Sequence, residues 1–119
     1  MQKIILLVED NEDARELMKY MIKSFGYRVI VAEDGLEALE LAEQEPFDLV
    51  LMDISMPMID GITVVKIIKQ HKPIAKVPVI AVTAHSRKYR DEILAAGAVE
   101  LLVKPIDFED LKRTLSKYL

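Results

Sequence analysis

The 119-residue chain has no cysteine, so no disulfide staples it and no thiolate zinc site is available. Positive charge is in deficit, with 16 Lys and Arg against 20 Asp and Glu and a formal net charge of −4. That balance argues against direct nucleic-acid binding, which needs clustered Lys and Arg to displace phosphate counterions. Long hydrophobic runs are missing too. The longest near the start, Ile4-Ile5-Leu6-Leu7-Val8, is far short of the roughly 20 residues that cross a bilayer. It ends in Glu9-Asp10 rather than a small-residue cleavage site, so neither a membrane span nor a signal peptide is read and a cytoplasmic protein is expected. No internal repeat, low-complexity tract or Gly/Ser linker interrupts the chain, so residues 1–119 are read as one domain with no output domain. What is present suffices for a core: half the residues are hydrophobic, and at this length roughly two-thirds of the unfolded surface can be buried.

Five short apolar runs alternate with five amphipathic stretches. The runs are Ile4 to Val8, Arg28 to Ala32, Leu49 to Met52, Val77 to Val82 and Leu101 to Val103. Most are too continuously apolar for a sheet with one wet face and read as strands covered on both sides. In the first helical stretch Ala14, Leu17, Met18, Met21, Ile22 and Phe25 share one face, Arg15 turns outward with Glu12, Glu16, Lys19 and Lys23, and Gly26 closes the helix. Asp34 with Glu37 opens a second helix through Leu36, Leu39 and Ala42, ending before Pro46. Gly61 to His71 and Ser86 to Ala96 predict the third and fourth, and Asp107 caps a fifth with Phe108, Leu111 and Leu115 inward. Repeated strand–helix alternation predicts an α/β fold with a parallel sheet. The second strand carries charge and the fifth is short, which suits edges, so the order 2-1-3-4-5 of a flavodoxin-like (βα)5 three-layer sandwich is expected.

In such a sheet ligands bind beyond the carboxyl ends of the strands. The first strand leaves into Glu9-Asp10, the third into Asp53, the fourth into Thr83-Ala84 and the fifth into Lys104-Pro105. Two carboxylates about 4 Å apart repel by about 4 kcal/mol at an effective dielectric near 20, so three at one rim need a cation. Oxygen-only ligands favour Mg²⁺, or Mn²⁺ in its place, and Mg²⁺ keeps water sites that a phosphate can enter. Asp53, leaving a central strand, is the candidate nucleophile on phosphorus, with Lys104 and the Thr83 hydroxyl placed for the phosphoryl oxygens. Taken singly, each is unremarkable: a Glu-Asp pair often just opens a helix, and Asp53 could simply pair with Lys104. Their joint occurrence at strand exits carries the reading. His71, at a helix C-terminus, reads as structural, and the six Met as core filler.

The motifs Val8-Glu9-Asp10-Asn11, Leu51-Met52-Asp53 through Pro57 to Asp60-Gly61, Ala81-Val82-Thr83-Ala84 and Val103-Lys104-Pro105 resemble the receiver domain of two-component response regulators from end to end. The resemblance implies that Asp53 accepts a phosphoryl group from a phosphohistidine on a histidine kinase or histidine phosphotransfer protein and later loses it to water. It implies Mg²⁺ held by Asp10, Asp53 and the main-chain carbonyl of Ser55, with Glu9 acting through water, phosphate oxygens taken by Thr83 and Lys104, and a cis Lys104-Pro105 bond. Thr83 moving inward would repack the fourth helix, changing a surface of helix 4, strand 5 and helix 5 for a downstream protein target or a phosphorylation-dependent homodimer. The family has an aromatic three residues before the lysine. Leu101 stands there instead, an apolar side chain that can still follow Thr83 into the gap. Ser55 and His85, two residues past Asp53 and Thr83, are expected to influence hydrolysis. The charged run Ser86 to Glu92 is a solvated helix face and a candidate partner contact.

Two readings of other classes compete. A Mg²⁺-dependent phosphohydrolase with an aspartyl-phosphate intermediate typically places a second acid two residues after the nucleophile, where this chain has Ser55. A receiver-shaped binding module without phosphorylation would have no use for Glu9, Asp10, Asp53, Thr83 and Lys104 together.

Overall fold

The computed structural model describes residues 2–54, 61–71, 74–84 and 90–119. Strands β1 (Ile4–Val8), β2 (Arg28–Ala32), β3 (Leu49–Asp53), β4 (Val79–Thr83) and β5 (Glu100–Val103) form one sheet in the order β2-β1-β3-β4-β5. Every neighbouring pair is parallel. All residues of β3 and β4 are buried, whereas β2 and β5 are largely half-exposed. The charged and short strands therefore occupy the edges, as their polarity predicts.

Helices α1 (Glu12–Ser24), α2 (Gly35–Gln44), α3 (Gly61–Gln70), α4 (Arg90–Ala96) and α5 (Phe108–Tyr118) cover the two faces. Alternate strand residues point to opposite faces. Ile5, Leu7, Leu49, Leu51, Ile80 and Val82 pack under α1 and α5, against Met18, Met21, Ile22, Leu111 and Leu115. Leu6, Val8, Val50, Met52, Val79 and Ala81 pack under α2, α3 and α4. Among the described residues no helix is long and apolar enough to cross a membrane.

Local chemistry sets the helix ends. The Asn11 side chain accepts from Ala14 N–H at 2.8 Å to open α1, Asp34 accepts from Glu37 N–H at 2.8 Å to open α2, and Asp107 accepts from Glu109 and Asp110 to open α5. Gly26, at φ 94°, closes α1 in the left-handed region. Gly61 answers a different need. A Cβ there would lie 2.3 Å from Ile54 Cα, so α3 approaches the chain just after Asp53 more closely than any other residue permits.

Several sequence expectations need correction. Leu17 and Phe108, read as inward, are 60% and 43% exposed, and Leu36 is 54% exposed. Leu17 lies on the flank of the arc centred on Met18, Ile22 and Phe25; Leu36 and Phe108 belong to first helical turns, beyond the inward Ala38 and Leu111. The fourth strand begins at Val79, not Val77, because Pro78 has no N–H to give the ladder and Val77 N–H closes a turn onto Ile74 O. The third strand extends to Asp53 and the fifth starts at Glu100. Helix α4 is described from Arg90, and residues 85–89 lie outside the described residues.

Candidate functional site

Parallel register brings the strand exits to one rim. Val8 pairs with Ala32 on one side and Met52 on the other, Asp53 with Val82, and Thr83 with Val103. The residues that follow therefore face the same end of the sheet. Glu9 N–H still donates to Ala32 O at 3.1 Å, prolonging the ladder by one residue, and Asn11 immediately caps α1. Only Glu9 and Asp10 fill the turn between, which fixes the backbone from which both carboxylates project. Across the rim, Lys104 N–H donates to Thr83 O at 2.8 Å and Ile54 N–H to Val82 O at 3.0 Å.

Glu9, Asp53 and Thr83 are buried, with 2%, 4% and 1% of their surface exposed, while Asp10 is open to solvent. Each of Glu9, Asp10 and Asp53 offers a carboxylate oxygen, and these oxygens lie within 4.8 Å of one another. Lys104 Nζ donates to Glu9 Oε1 at 3.0 Å and to Asp53 Oδ2 at 3.2 Å. The Lys104-Pro105 bond is cis. Four of the expected side chains thus converge on one point: Glu9, Asp10, Asp53 and Lys104. Thr83 sits one residue past the register partner of Asp53 on the adjoining strand. Ser55 and His85 lie outside the described residues, as does Pro57.

The electrostatics follow from this crowding. Burial pushes the Glu9 carboxyl up from 4.5 to about 7, the contact with Asp53 pushes in the same direction, and Lys104 opposes both. Burial alone would pull Lys104 down, but its hydrogen bonds and charge contacts with Glu9 and Asp53 outweigh that and raise it. The cluster therefore holds more negative charge than one ammonium neutralises. An all-oxygen donor set of two buried carboxylates and one exposed one fits a hard divalent ion such as Mg²⁺ or Mn²⁺. Beside it, a hollow of about 420 Å³ runs from Glu9 and Lys104 along Leu17, Met18, Met21 and Ile106.

Two residues at the site escape sequence reasoning. Asn11 is the α1 cap, a role its place before two acidic residues could have signalled. Arg15, expected on the wet face of α1, instead folds back so that its Nη1 donates to Glu9 O at 3.3 Å and Asp10 O at 3.5 Å. His71, read from its position as a helix-end residue, has its Nε2 2.7 Å from Glu43 Oε1, linking the ends of α3 and α2.

Known proteins share this architecture. The polar-differentiation response regulator DivK of Brucella ovis is 39% identical over 120 residues, covering all of this chain and 98% of DivK. The transcriptional regulatory protein ZraR of Klebsiella oxytoca is 41% identical over 116 residues, covering 97% of this chain; the chain spans only 26% of ZraR. The response regulator TrrA of Thermotoga maritima, solved in complex with Mg²⁺-BeF, superposes with a TM-score of 0.89 at 37% identity, covering 99% of this chain and all of that one. The model of the response regulator receiver domain matches residues 5–116, and an acidic pocket such as that of Glu9, Asp10 and Asp53 is typical of the phospho-Asp site of that family. By sequence, fold and pocket alike, this chain belongs to the response regulator receiver domains.

Proposed function

We propose that residues 1–119 form one receiver unit that takes a phosphoryl group from a phosphohistidine onto Asp53. The observation that carries this reading is the buried Asp53 carboxylate, grouped with Glu9 and Asp10 and gripped by Lys104. An Asp53 oxygen forms the new O–P bond while the N–P bond of the donor breaks and its electron pair returns to the imidazole nitrogen. Lys104 stabilises the charge on the phosphoryl oxygens, and Glu9 keeps the ammonium aimed at the rim when Asp53 changes partner. Thr83 offers a hydroxyl to another phosphoryl oxygen. Glu9, Asp10, Asp53 and the Ser55 carbonyl would hold Mg²⁺, which supplies positive charge against that of the acids and the phosphoryl group. Water attacking phosphorus breaks the O–P bond and restores the Asp53 carboxylate with release of phosphate. The domain thus acts on its own side chain rather than turning over a diffusible substrate.

A histidine kinase or histidine phosphotransfer protein in the cytoplasm is the proposed donor. Phosphorylation would draw Thr83 toward the phosphoryl group, with Leu101 following it, and reshape the α4–β5–α5 surface for a downstream protein target or a second copy of the chain. Direct contact with nucleic acid or membrane forms no part of this reading.

The test is incubation with acetyl phosphate and Mg²⁺, read by intact-protein mass spectrometry. A phosphoryl mass gain that Asp53→Asn and chelation both abolish is expected. Steady phosphate release from a monoester without such a pattern would favour the phosphohydrolase, and no modification of folded protein would favour an inert module.

A further inference from the structure

We infer that Arg15 is a positioning residue for the metal-binding acids, a role that rests on the reading of Glu9 and Asp10 as Mg²⁺ ligands. Arg15 lies in the first turn of α1, between the solvent-facing Glu12 and Glu16, yet its side chain is only 14% exposed. Its guanidinium turns back over the helix start. Nη1 donates to the carbonyls of Glu9 and Asp10, at 3.3 and 3.5 Å, while Nη2 lies 3.6 Å from Glu33 Oε1 in the turn after β2. The backbone bond from Glu9 N–H to Ala32 O joins the same two turns. One planar fork therefore grips the two peptide units from which Glu9 and Asp10 project and moors them to the neighbouring turn.

That geometry matters because Asp10 is exposed and its carboxylate has to be placed by its backbone, whereas Glu9 is also held through Lys104 and Asp53. Metal ligands work when a surrounding layer of contacts fixes them, and loosening that layer typically weakens metal binding by about 10- to 100-fold. A second effect of Arg15 runs the other way. Its positive charge repels a divalent cation, so charge alone would make its removal tighten Mg²⁺ binding. The sign of the change separates the two. Lysine distinguishes them further, since it keeps the charge but cannot reach two carbonyls and a carboxylate with a rigid fork.

Isothermal titration of MgCl₂ into the parent, Arg15→Met, Arg15→Lys and Glu33→Gln, well below the unfolding temperature of each and with folding checked by circular dichroism, tests this. Positioning predicts Mg²⁺ binding weakened about tenfold in both Arg15 variants, and by a few-fold in Glu33→Gln, which removes an exposed anchor. Parent-like or tighter binding by Arg15→Met, or full rescue by Arg15→Lys, would overturn the role. Should Arg15→Met fail to fold, Arg15→Lys and Glu33→Gln decide it. A parent that takes up no Mg²⁺ would instead remove the ligand reading itself, and the role of Arg15 with it.

Discussion

The two faces of the sheet bury the same strands by opposite means. Under α1 and α5 the described core holds nothing smaller than valine, with Met18, Met21, Ile22, Leu111 and Leu115 meeting Ile5, Leu7, Leu49, Leu51, Ile80 and Val82. Under α2, α3 and α4 small residues recur: Ala38, Ala42, Ala96 and Ala98 are in the core, and Gly35 and Gly61 let helices close in on their neighbours. The first face is filled by side-chain volume and is sensitive to lost atoms. The second depends on backbones coming close and is sensitive to added ones.

Removing volume from the first face should have the largest effect. Leu111→Ala, at a fully buried position, is expected to cost about 2–5 kcal/mol in urea unfolding. Adding volume to the second should follow at about 1–3 kcal/mol for Gly61→Ala, whose new methyl meets the Ile54 backbone. Gly35→Ala should cost less, because its new methyl meets the Val64 side chain, 2.5 Å from Cγ2, rather than backbone. Equal tolerance of all three would erase the contrast. Loss of the α1 cap in Asn11→Ala should cost about 1 kcal/mol and isolate what end chemistry adds to the first face.

A pH series sharpens the role of the rim rather than the faces. Glu9 has a folded value of about 7 against an ordinary 4.5, so the folded state holds its proton more tightly than the unfolded chain does. Its stabilising contribution is present below pH 4.5 and lost as pH rises through about 7. In chelator, the stability difference between Glu9→Gln and the parent should therefore grow in favour of the variant across that window, and saturating Mg²⁺ should shrink it. A difference that does not change with pH would contradict the burial of that carboxyl.

Much of this architecture was legible in the sequence. Unbroken apolar runs identified strands covered on both faces, and the charge on the second strand together with the brevity of the fifth placed them at the edges. The rim followed because parallel register makes strand ends coincide, so acids separated by more than 40 positions along the chain become neighbours. Periodicity failed at the first turn of α5. It places Phe108 on the same stripe as Leu111 and Leu115 but does not say that a ring in the first turn meets Phe25 at the end of α1, 4.8 Å between centroids, and stays 43% exposed. It also misassigned Arg15, because a long side chain on the wet face of a helix can fold back to the turn before it, a path set by flexibility rather than by position on the wheel.

Phosphorylation at Asp53 is tested most directly by mapping the modified residue. Protein treated with acetyl phosphate and Mg²⁺ can be reduced with borohydride, which converts an acyl phosphate to an alcohol and leaves a free carboxylate untouched, and then digested for peptide mass spectrometry. Reduction at Asp53 alone is expected. Reduction at Glu9 or Asp10, or an unreduced Asp53 in folded protein, would contradict it.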